Sequence, residues 1–259
     1  MNDRPARVPD AAWRPLSRVN SEPGERAIVA TVTFLNAVLR PVTTRDWRGQ
    51  ELLPQRGGIV VVANHISNVD WLAIGQYVGY SGRWPRFLAK ASIFGVPVAG
   101  TVLRACGQIP VQRRSVAAKD ALGAAVAAIE QGRAVVVYPE GTITLDPDLW
   151  PMRGHTGAAR IALQTGAPVI PVGQWGAQDI MYGKQITLPR LLPRKTLRLV
   201  TGPPVPLDDL RRLPMTAAVL TEATERIMAA ITALVAGLRG VEPPVERFDP
   251  RPARREADR

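Results

Sequence analysis

Apolar residues recur along the chain in short continuous runs and in longer spaced patterns, which predict strands and helices respectively. Unbroken runs rich in valine and isoleucine are typical of strands covered on both faces, and three occur, at 59–63, 134–138 and 167–172. Shorter runs at 87–90 and 107–112 predict two more strands, and the alternating run at 196–201 predicts an edge strand.

Helical spacing separates these strands. Helices are predicted at about 67–80, from Ser115 to Gly132, at 156–165 and at 215–238, with a glycine- and proline-rich connection around 95–100. Because strands alternate with helices, the chain is predicted to have an α/β fold with a central sheet.

Residues 27–39 form an almost uncharged apolar segment that follows a polar, proline-rich leader at 1–26. A helix that spans a bilayer needs about 20 apolar residues, so this segment is too short to cross a membrane. It is long enough for a helix of about 20 Å. Such a helix can lie in the protein core or in a membrane interface.

The chain is strongly basic, with 33 lysines and arginines against 22 acidic residues, a net charge of +11. The excess lies in two stretches, 40–119 and 150–198, whereas the residues after 198 sum to zero. A basic excess in the middle of the chain indicates a surface or cleft that receives anions. One cysteine and two histidines exclude a disulfide framework and metal sites built from clustered cysteines or histidines.

Common cofactor and nucleophile motifs are missing from the sequence. It has no G-x-G-x-x-G after a strand, no G-x-x-x-x-G-K-[ST] and no G-x-S-x-G. Dinucleotide-binding, P-loop and serine-hydrolase functions therefore lose their support. Candidate chemistry is instead found at strand ends, where open α/β sheets place their active sites.

A histidine and a carboxylate follow the 59–63 strand directly, in the sequence NHISNVD at 64–70. If His65 lies in the strand–helix turn and Asp70 in the first helical turn, the two side chains can meet. A carboxylate on one ring nitrogen fixes the tautomer and leaves the other nitrogen free to accept a proton, as a general base requires. The alternative is structural, because Ser67 and Asp70 also resemble a capping box.

Three further motifs follow in this order: GQIPVQR at 107–113, YPEGT at 138–142 and VIPV at 169–172. Arg113 can hold a phosphate or be a solvated arginine beside Arg114. Glu140 can bind a hydroxyl, brace Arg113 or be an ordinary turn carboxylate. Gly141 permits close backbone approach to a ligand, or serves turn geometry alone.

Taken in this order, H-x-x-x-x-D, G-x-I-P-V-x-R, Y-P-E-G-T and V-I-P-V resemble the motifs of the glycerolipid acyltransferases, the 1-acylglycerol-3-phosphate O-acyltransferase family. The resemblance covers residues 55–175. It implies a mixed, largely parallel sheet flanked by helices, with an apolar interfacial helix at the N-terminus. It also implies transfer of a fatty acyl group from a thioester to the free hydroxyl of 1-acylglycerol 3-phosphate, giving phosphatidic acid.

The resemblance further implies a role for each matched residue. His65 is the base and Asp70 its partner, and the substrate-binding residues are Lys90, Arg113, Glu140, Gly141, Thr142 and Arg153. One departure concerns the acceptor phosphate. The family commonly reads E-G-T-R-S, whereas here Thr142 is followed by Ile143 and Thr144, so a phosphate-binding arginine is missing.

The implied partners are acyl-CoA or acyl carrier protein as donor, a lysophospholipid as acceptor and a membrane surface, with no nucleic acid. No metal and no cofactor is implied, and oxyanion donors are expected from backbone N–H groups near YPEGT. The implied location is peripheral (monotopic), on the cytoplasmic face of the cell membrane. The expected organisation is a leader at 1–26, a membrane-interface helix region at 27–54, an acyltransferase domain at 55–240 and a flexible tail at 241–259.

Two other functions stay open. The same chemistry can serve another acceptor, glycerol 3-phosphate or a glycolipid sugar hydroxyl, and Ile143 motivates that alternative. A non-enzymatic anion- or nucleic-acid-binding protein would also explain the net charge of +11. Against it, aromatic residues are sparse and the basic residues do not surround a stacking platform.

Overall fold

Seven strands form one mixed sheet whose central members are the valine-rich runs. The structure is a computed structural model and describes residues 15–111, 118–183 and 187–250. The strands are β1 (Thr43–Arg48), β2 (Ile59–Ala63), β3 (Pro85–Lys90), β4 (Ile109–Val111), β5 (Ala134–Val137), β6 (Val169–Trp175) and β7 (Lys195–Thr201). Every residue of β2 and β5 is buried, as expected for strands that helices cover on both faces.

The strand order is β1-β7-β6-β2-β5-β3-β4. Neighbouring strands are parallel except β6 and β7, which are antiparallel, so β1 and β7 run opposite to the other five. In the central register, Val61 of β2 lies opposite Val136 of β5 and Ile170 of β6. The carboxyl ends of β2 to β6 therefore meet at one edge of the sheet, here named the carboxyl edge.

Helices cover both faces of this sheet. They are α1 (Leu16–Val19), α2 (Arg26–Leu39), α3 (Asp70–Tyr80), α4 (Pro97–Ala105), α5 (Ala118–Glu130), α6 (Gly157–Thr165), α7 (Asp208–Arg211) and α8 (Ala217–Arg239). Because side chains alternate along a strand, Val60 and Val62 of β2 face an apolar cluster formed with α5, α6 and α8. The other residues of β2 face a second cluster that α3 covers.

The apolar segment at 27–39 is a helix, α2, and only one of its faces is buried. Ile28 and Val32 are buried and α2 packs along α3, whereas Phe34 and Val38 are exposed. The core-helix alternative therefore describes the buried face of α2, and the membrane-interface alternative describes its exposed face. In the parts of the chain that the structure describes, no helix is both long and apolar enough to cross a membrane.

Two elements differ from the predicted order. The run at 196–201 is not an edge strand, because the polar strand β1 pairs with the outer side of β7 and becomes the edge itself. The glycine- and proline-rich connection contains a 3₁₀ turn (Ala91–Gly95) and the unpredicted helix α4. Pro97 begins α4, a position where the missing N–H of proline costs nothing since no helical partner exists there.

Candidate active site

His65 and Asp70 meet in the turn between β2 and α3, at the carboxyl edge. Nδ1 of His65 lies 2.8 Å from Oδ2 of Asp70. The same carboxylate oxygen accepts the backbone N–H groups of Ile66 at 2.6 Å and Ser67 at 2.9 Å. Because Asp70 is the first residue of α3, the helix start and these turn hydrogen bonds together hold the carboxylate beside the imidazole.

The capping alternative for Asp70 describes part of this geometry, because a capping-box carboxylate reaches back to the N–H three residues before it, as Asp70 does to Ser67 at 2.9 Å. The residue before α3 is Val69, and its N–H donates to the hydroxyl of Ser67 at 3.2 Å. Asp70 accepts its hydrogen bonds from the turn that precedes the helix, and not from the first turn of the helix. The carboxylate therefore organises the histidine turn.

Burial sets the electrostatics of the pair. The Asp70 side chain has no exposed surface, whereas 19% of the His65 side chain is exposed. Burial raises the pKa of Asp70, and the hydrogen bond with His65 opposes that rise. The arrangement favours Nδ1 as the protonated ring nitrogen, which donates to the carboxylate, and Nε2 as the nitrogen that accepts a proton.

Two aromatic rings support the imidazole. Tyr138, the residue after β5, stacks on His65 with 4.2 Å between ring centroids and 17° between ring planes. Phe87 of β3 lies 6.3 Å from Tyr138 on a nearly parallel plane. Because β5 lies between β2 and β3 in the sheet, the three rings follow one another along the carboxyl edge.

The hydroxyl of Tyr138 is buried and has no hydrogen-bond partner within the described residues. Burial raises the pKa of this hydroxyl well above its usual range, so the side chain is neutral near pH 7. Tyr138 therefore acts on His65 through its ring.

Glu140 holds the backbone of His65 from the neighbouring strand. One carboxylate oxygen accepts the His65 N–H at 2.9 Å, and the other accepts the Met152 N–H at 3.1 Å. The side chain is buried, and burial raises the pKa of Glu140 to about 8, outweighing the hydrogen bonds that lower it. With both oxygens engaged, the geometry gives Glu140 a positioning role at His65. The predicted contacts with substrate and with Arg113 stay predictions.

Other predicted substrate-binding residues lie along the same edge. Gly141 has a φ of 67°, and a Cβ there would lie 2.8 Å from the His155 ring, so this turn requires glycine. Thr142 follows it and is half-buried, and Lys90 is exposed at the end of β3. Arg113 lies outside the described residues.

Arg153 is engaged with the segment that was expected to be a flexible tail. Its guanidinium forms an ion pair with Asp249 at 3.1 Å, and its backbone N–H donates to the carbonyl of Phe248 at 3.0 Å. These contacts attach residues 248–249 to the loop after Glu140. The substrate contact predicted for Arg153 stays a prediction, and residues 251–259 lie outside the described part of the chain.

A cavity of about 1040 Å³ lies beside the His65 turn. Thr144 in its wall donates its N–H to the carbonyl of His65 at 2.7 Å, and Gly183 in its wall pairs with Ser67. The other lining residues described are Leu145, Asp146, Pro147, Leu149, Gln178, Asp179, Ile180, Tyr182, Thr187, Leu188, Arg190 and Lys195. The charged side chains of the wall are two carboxylates, Asp146 and Asp179, and two cations, Arg190 and Lys195. Apolar walls with a few charged groups suit an amphipathic ligand with a polar end.

Sequence reasoning missed part of this site. Arg190 and Lys195 fall in the basic stretch at 150–198, which was the only signal available, because no motif contains them. The stacking of Tyr138 depends on the strand order, which the YPEGT motif does not contain.

Comparisons with known proteins identify the family of this chain. A family model described as Acyltransferase matches residues 45–175. The chain belongs to the acyltransferase family. It is 33% identical over 146 residues to a chloroplastic 1-acyl-sn-glycerol-3-phosphate acyltransferase of Brassica napus. The matched region covers 54% of this chain and 40% of that relative.

A second acyltransferase, the 1-acyl-sn-glycerol-3-phosphate acyltransferase of Borreliella burgdorferi, is 33% identical over 128 residues. The match covers 48% of each protein. The chain thus spans less than half the length of these two curated relatives.

The acyltransferase fold is also that of a solved structure, the 1-acyl-sn-glycerophosphate (LPA) acyltransferase PlsC from Thermotoga maritima. The TM-score is 0.58, the match covers 88% of this chain and 81% of that chain, and the identity is 21%. This match confirms the predicted α/β fold with a mixed, mostly parallel sheet between helices. The resemblance inferred from the four motifs is confirmed as well.

Glu140→Gln should change the pH dependence of stability. A pKa raised from 4.5 to about 8 means that the stability contributed by the protonated group is complete below about pH 4.5 and is lost as the pH rises toward 8. Urea unfolding across this range should show the unfolding free energy of the wild type falling by about 4 kcal/mol relative to the variant. Glu130→Gln, at an exposed glutamate ending α5, is the matched control. If the unfolding free energies of wild type and Glu140→Gln changed with pH in parallel, the raised pKa of Glu140 would be contradicted.

Tyr138→Phe should retain the stack on His65 and remove a buried hydroxyl that lacks a partner among the described residues. We expect the unfolding free energy to stay within about 1 kcal/mol of wild type or to rise, because no hydrogen bond is lost. Tyr138→Ala, which removes the ring, should cost about 3–5 kcal/mol. Equal losses in the two variants, measured by denaturant unfolding, would show that the hydroxyl and not the ring matters.

Proposed function

We propose that this acyltransferase moves a fatty acyl group from an acyl thioester to the free hydroxyl of 1-acylglycerol 3-phosphate, giving phosphatidic acid. The observation that carries the proposal is the 2.8 Å contact between His65 Nδ1 and Asp70 Oδ2, which leaves the opposite ring nitrogen to accept a proton. The names of the Brassica and Borreliella relatives favour the same acceptor.

In the proposed reaction, Nε2 of His65 removes the proton of the acceptor hydroxyl as its oxygen attacks the thioester carbonyl. The new C–O bond forms, the C–S bond then breaks, and His65 returns the proton to the leaving thiolate. Asp70 stabilises the imidazolium between these steps. General-base assistance of this kind contributes about 10²–10⁴-fold in rate. The Gly141 N–H donates to the Tyr138 carbonyl at 2.9 Å, so the backbone N–H groups of residues 142–143 are the proposed donors to the oxyanion.

The acceptor phosphate is proposed to bind Arg190 and Lys195. Ile143, where the family commonly has arginine, is buried and therefore faces the core. Arg190 and Lys195 bring positive charge to the cavity wall from a different loop, the connection between β6 and β7. The apolar part of the same wall can receive the acyl chain of the acceptor.

The proposed donor is acyl-CoA or acyl carrier protein, and the proposed partner surface is a membrane. Because the acceptor and the product are lipids, the enzyme is proposed to act as a peripheral protein on the cytoplasmic face of the cell membrane. The uncovered apolar face of α2, with Phe34 and Val38 exposed, supports that location.

A second candidate function keeps the chemistry and changes the acceptor to glycerol 3-phosphate or a glycolipid sugar hydroxyl. The observation that favours it is Ile143 in place of the usual arginine. The deciding experiment incubates the protein with mixed acyl thioesters and a panel of these acceptors, and identifies the product by mass spectrometry. Phosphatidic acid as main product supports the first proposal, and an acylated sugar or a lysophosphatidate as main product supports the second.

His65→Ala should lower kcat by about 10²–10⁴-fold, because the general base is removed. Asp70→Asn should lower kcat by a similar factor, since the ring loses the acceptor that holds Nδ1 protonated. Asp46→Asn, at an aspartate on β1 that pairs with Arg48, is the matched control. Thermal unfolding checks that the variants are folded, and normal turnover in folded His65→Ala would exclude His65 as the base.

Arg190→Ala should raise KM for the lysophosphatidate about tenfold with kcat nearly unchanged, because a charge-assisted hydrogen bond to the phosphate is lost. Arg198→Ala, which removes an exposed arginine of β7 that does not line the cavity, is the matched control. Steady-state kinetics with varied acceptor test this, and an unchanged KM would place the phosphate elsewhere.

A further inference from the structure

Exposed apolar side chains are concentrated around the carboxyl edge. One group follows β3 and is here named the α4 lobe, consisting of Ile93, Val96, Val98 and Val102. A second group lies in the connection between β6 and β7 and is here named the leucine loop, consisting of Leu188, Leu191 and Leu192. Val98 is 78%, Leu188 90% and Leu192 79% exposed, and groups of apolar side chains with this exposure in a folded protein indicate an interaction site.

Helix α4, which carries part of the α4 lobe, packs beside α2. Thr31 of α2 and Cys106, which follows α4, are in contact with 3.4 Å between Oγ1 and Sγ, so the two helices lie side by side. Phe34 and Val38 are four residues apart on α2, as are Val98 and Val102 on α4. Residues four apart share a helix face, so each of these two neighbouring helices carries an apolar stripe.

The sheet topology places the two groups on opposite sides of His65. The α4 lobe begins where β3 ends, and the leucine loop lies between the end of β6 and the start of β7. In the strand order, β2 and its histidine turn stand between β6 and β3. Trp71, directly after Asp70, is also exposed between them, and tryptophan is enriched where proteins meet the surface of a bilayer.

Charge identifies the partner. The sequence has no aspartate or glutamate at 71–119 or at 180–207, so neither group contains a carboxylate. Exposed cations stand beside both groups, namely Lys90 and Arg104 at the α4 lobe and Arg190 and Arg194 at the leucine loop. Asp146 and Asp179 line the cavity with Leu188, but the two segments that carry the exposed apolar groups contain cations and no carboxylate. Such apolar and cationic surface is complementary to anionic lipid headgroups over an acyl layer.

We propose that the α4 lobe and the leucine loop are two points of attachment to an anionic bilayer, and that they hold the carboxyl edge with His65 facing the lipid surface. The proposal extends the function proposed above by assigning the membrane contact to residues outside α2. It gives the lipid acceptor a short path from the bilayer to the cavity, since Leu188 lines that cavity and is exposed on the leucine loop.

The test uses the full chain with Val98→Glu and Leu192→Glu combined, which puts one carboxylate in each group. The control combines Leu52→Glu and Leu213→Glu, at exposed leucines next to the opposite edge of the sheet. Flotation with vesicles of phosphatidylcholine and phosphatidylglycerol measures the bound fraction. We expect binding of the first variant to fall about tenfold or more and the control to bind as the wild type does.

Three results would overturn the proposal. The first is equal binding of both double variants, and the second is wild-type binding that does not differ between anionic vesicles and pure phosphatidylcholine. The third is wild-type dimerisation in sedimentation velocity that Val98→Glu with Leu192→Glu abolishes, because the surface would then join two copies of the chain.

A parallel assay separates this proposal from the proposed function. A short-chain lysophosphatidate dissolved as monomers needs no membrane, so the Val98→Glu and Leu192→Glu variant should acylate it at the wild-type rate. If the wild type acylates no lysophosphatidate at all, the proposed function fails while the vesicle result still decides the docking surface. If only the variant fails on the monomeric acceptor, the two groups belong to the active site and the docking proposal is wrong.

Discussion

One oxygen of a buried carboxylate, Oδ2 of Asp70, accepts hydrogen bonds from the ring of His65 and from the backbone of Ile66 and Ser67. A buried carboxylate is tolerated only where such donors replace water. The path of the turn, the start of α3 and the orientation of the imidazole therefore depend on one another. Glu140 adds a second constraint from β5 by holding the His65 N–H. The proposed base is thus fixed by its main chain as well as by its ring.

The reversal of β7 relative to β6 determines what surrounds this histidine. Antiparallel neighbours can be joined at the edge where the first strand ends, whereas parallel neighbours need a crossover to the opposite edge. Because β6 ends at the carboxyl edge, its connection to β7 stays there. Arg190 and Lys195 reach the cavity for that reason, and an all-parallel sheet would have carried this segment away from the site.

The buried strands and the meeting of His65 with Asp70 could be predicted because each depends on local sequence, a β-branched run or a short strand–helix turn. The strand β1 could not, since TTRDWR contains no apolar run and its place depends on pairing with the distant β7. Helix α4 was missed because glycine and proline usually mark loops. In α4, however, a Cβ on Gly100 would lie 2.0 Å from the Phe94 carbonyl oxygen, so close packing requires the glycine. The cavity cations depend on how a long connection returns, which no motif records.

The two basic stretches of the sequence correspond to the two flanks of the carboxyl edge. The stretch at 40–119 contains β3, α4 and their exposed cations, and the stretch at 150–198 contains the connection between β6 and β7. A charge distributed for nucleic acid would need aromatic platforms between the cations, whereas here apolar aliphatic side chains occupy that space. The same segment supplies cations to the cavity and leucines to the surface. A lipid whose phosphate reached Arg190 would therefore have its acyl chain beside Leu188 while the proposed base stood at the neighbouring turn.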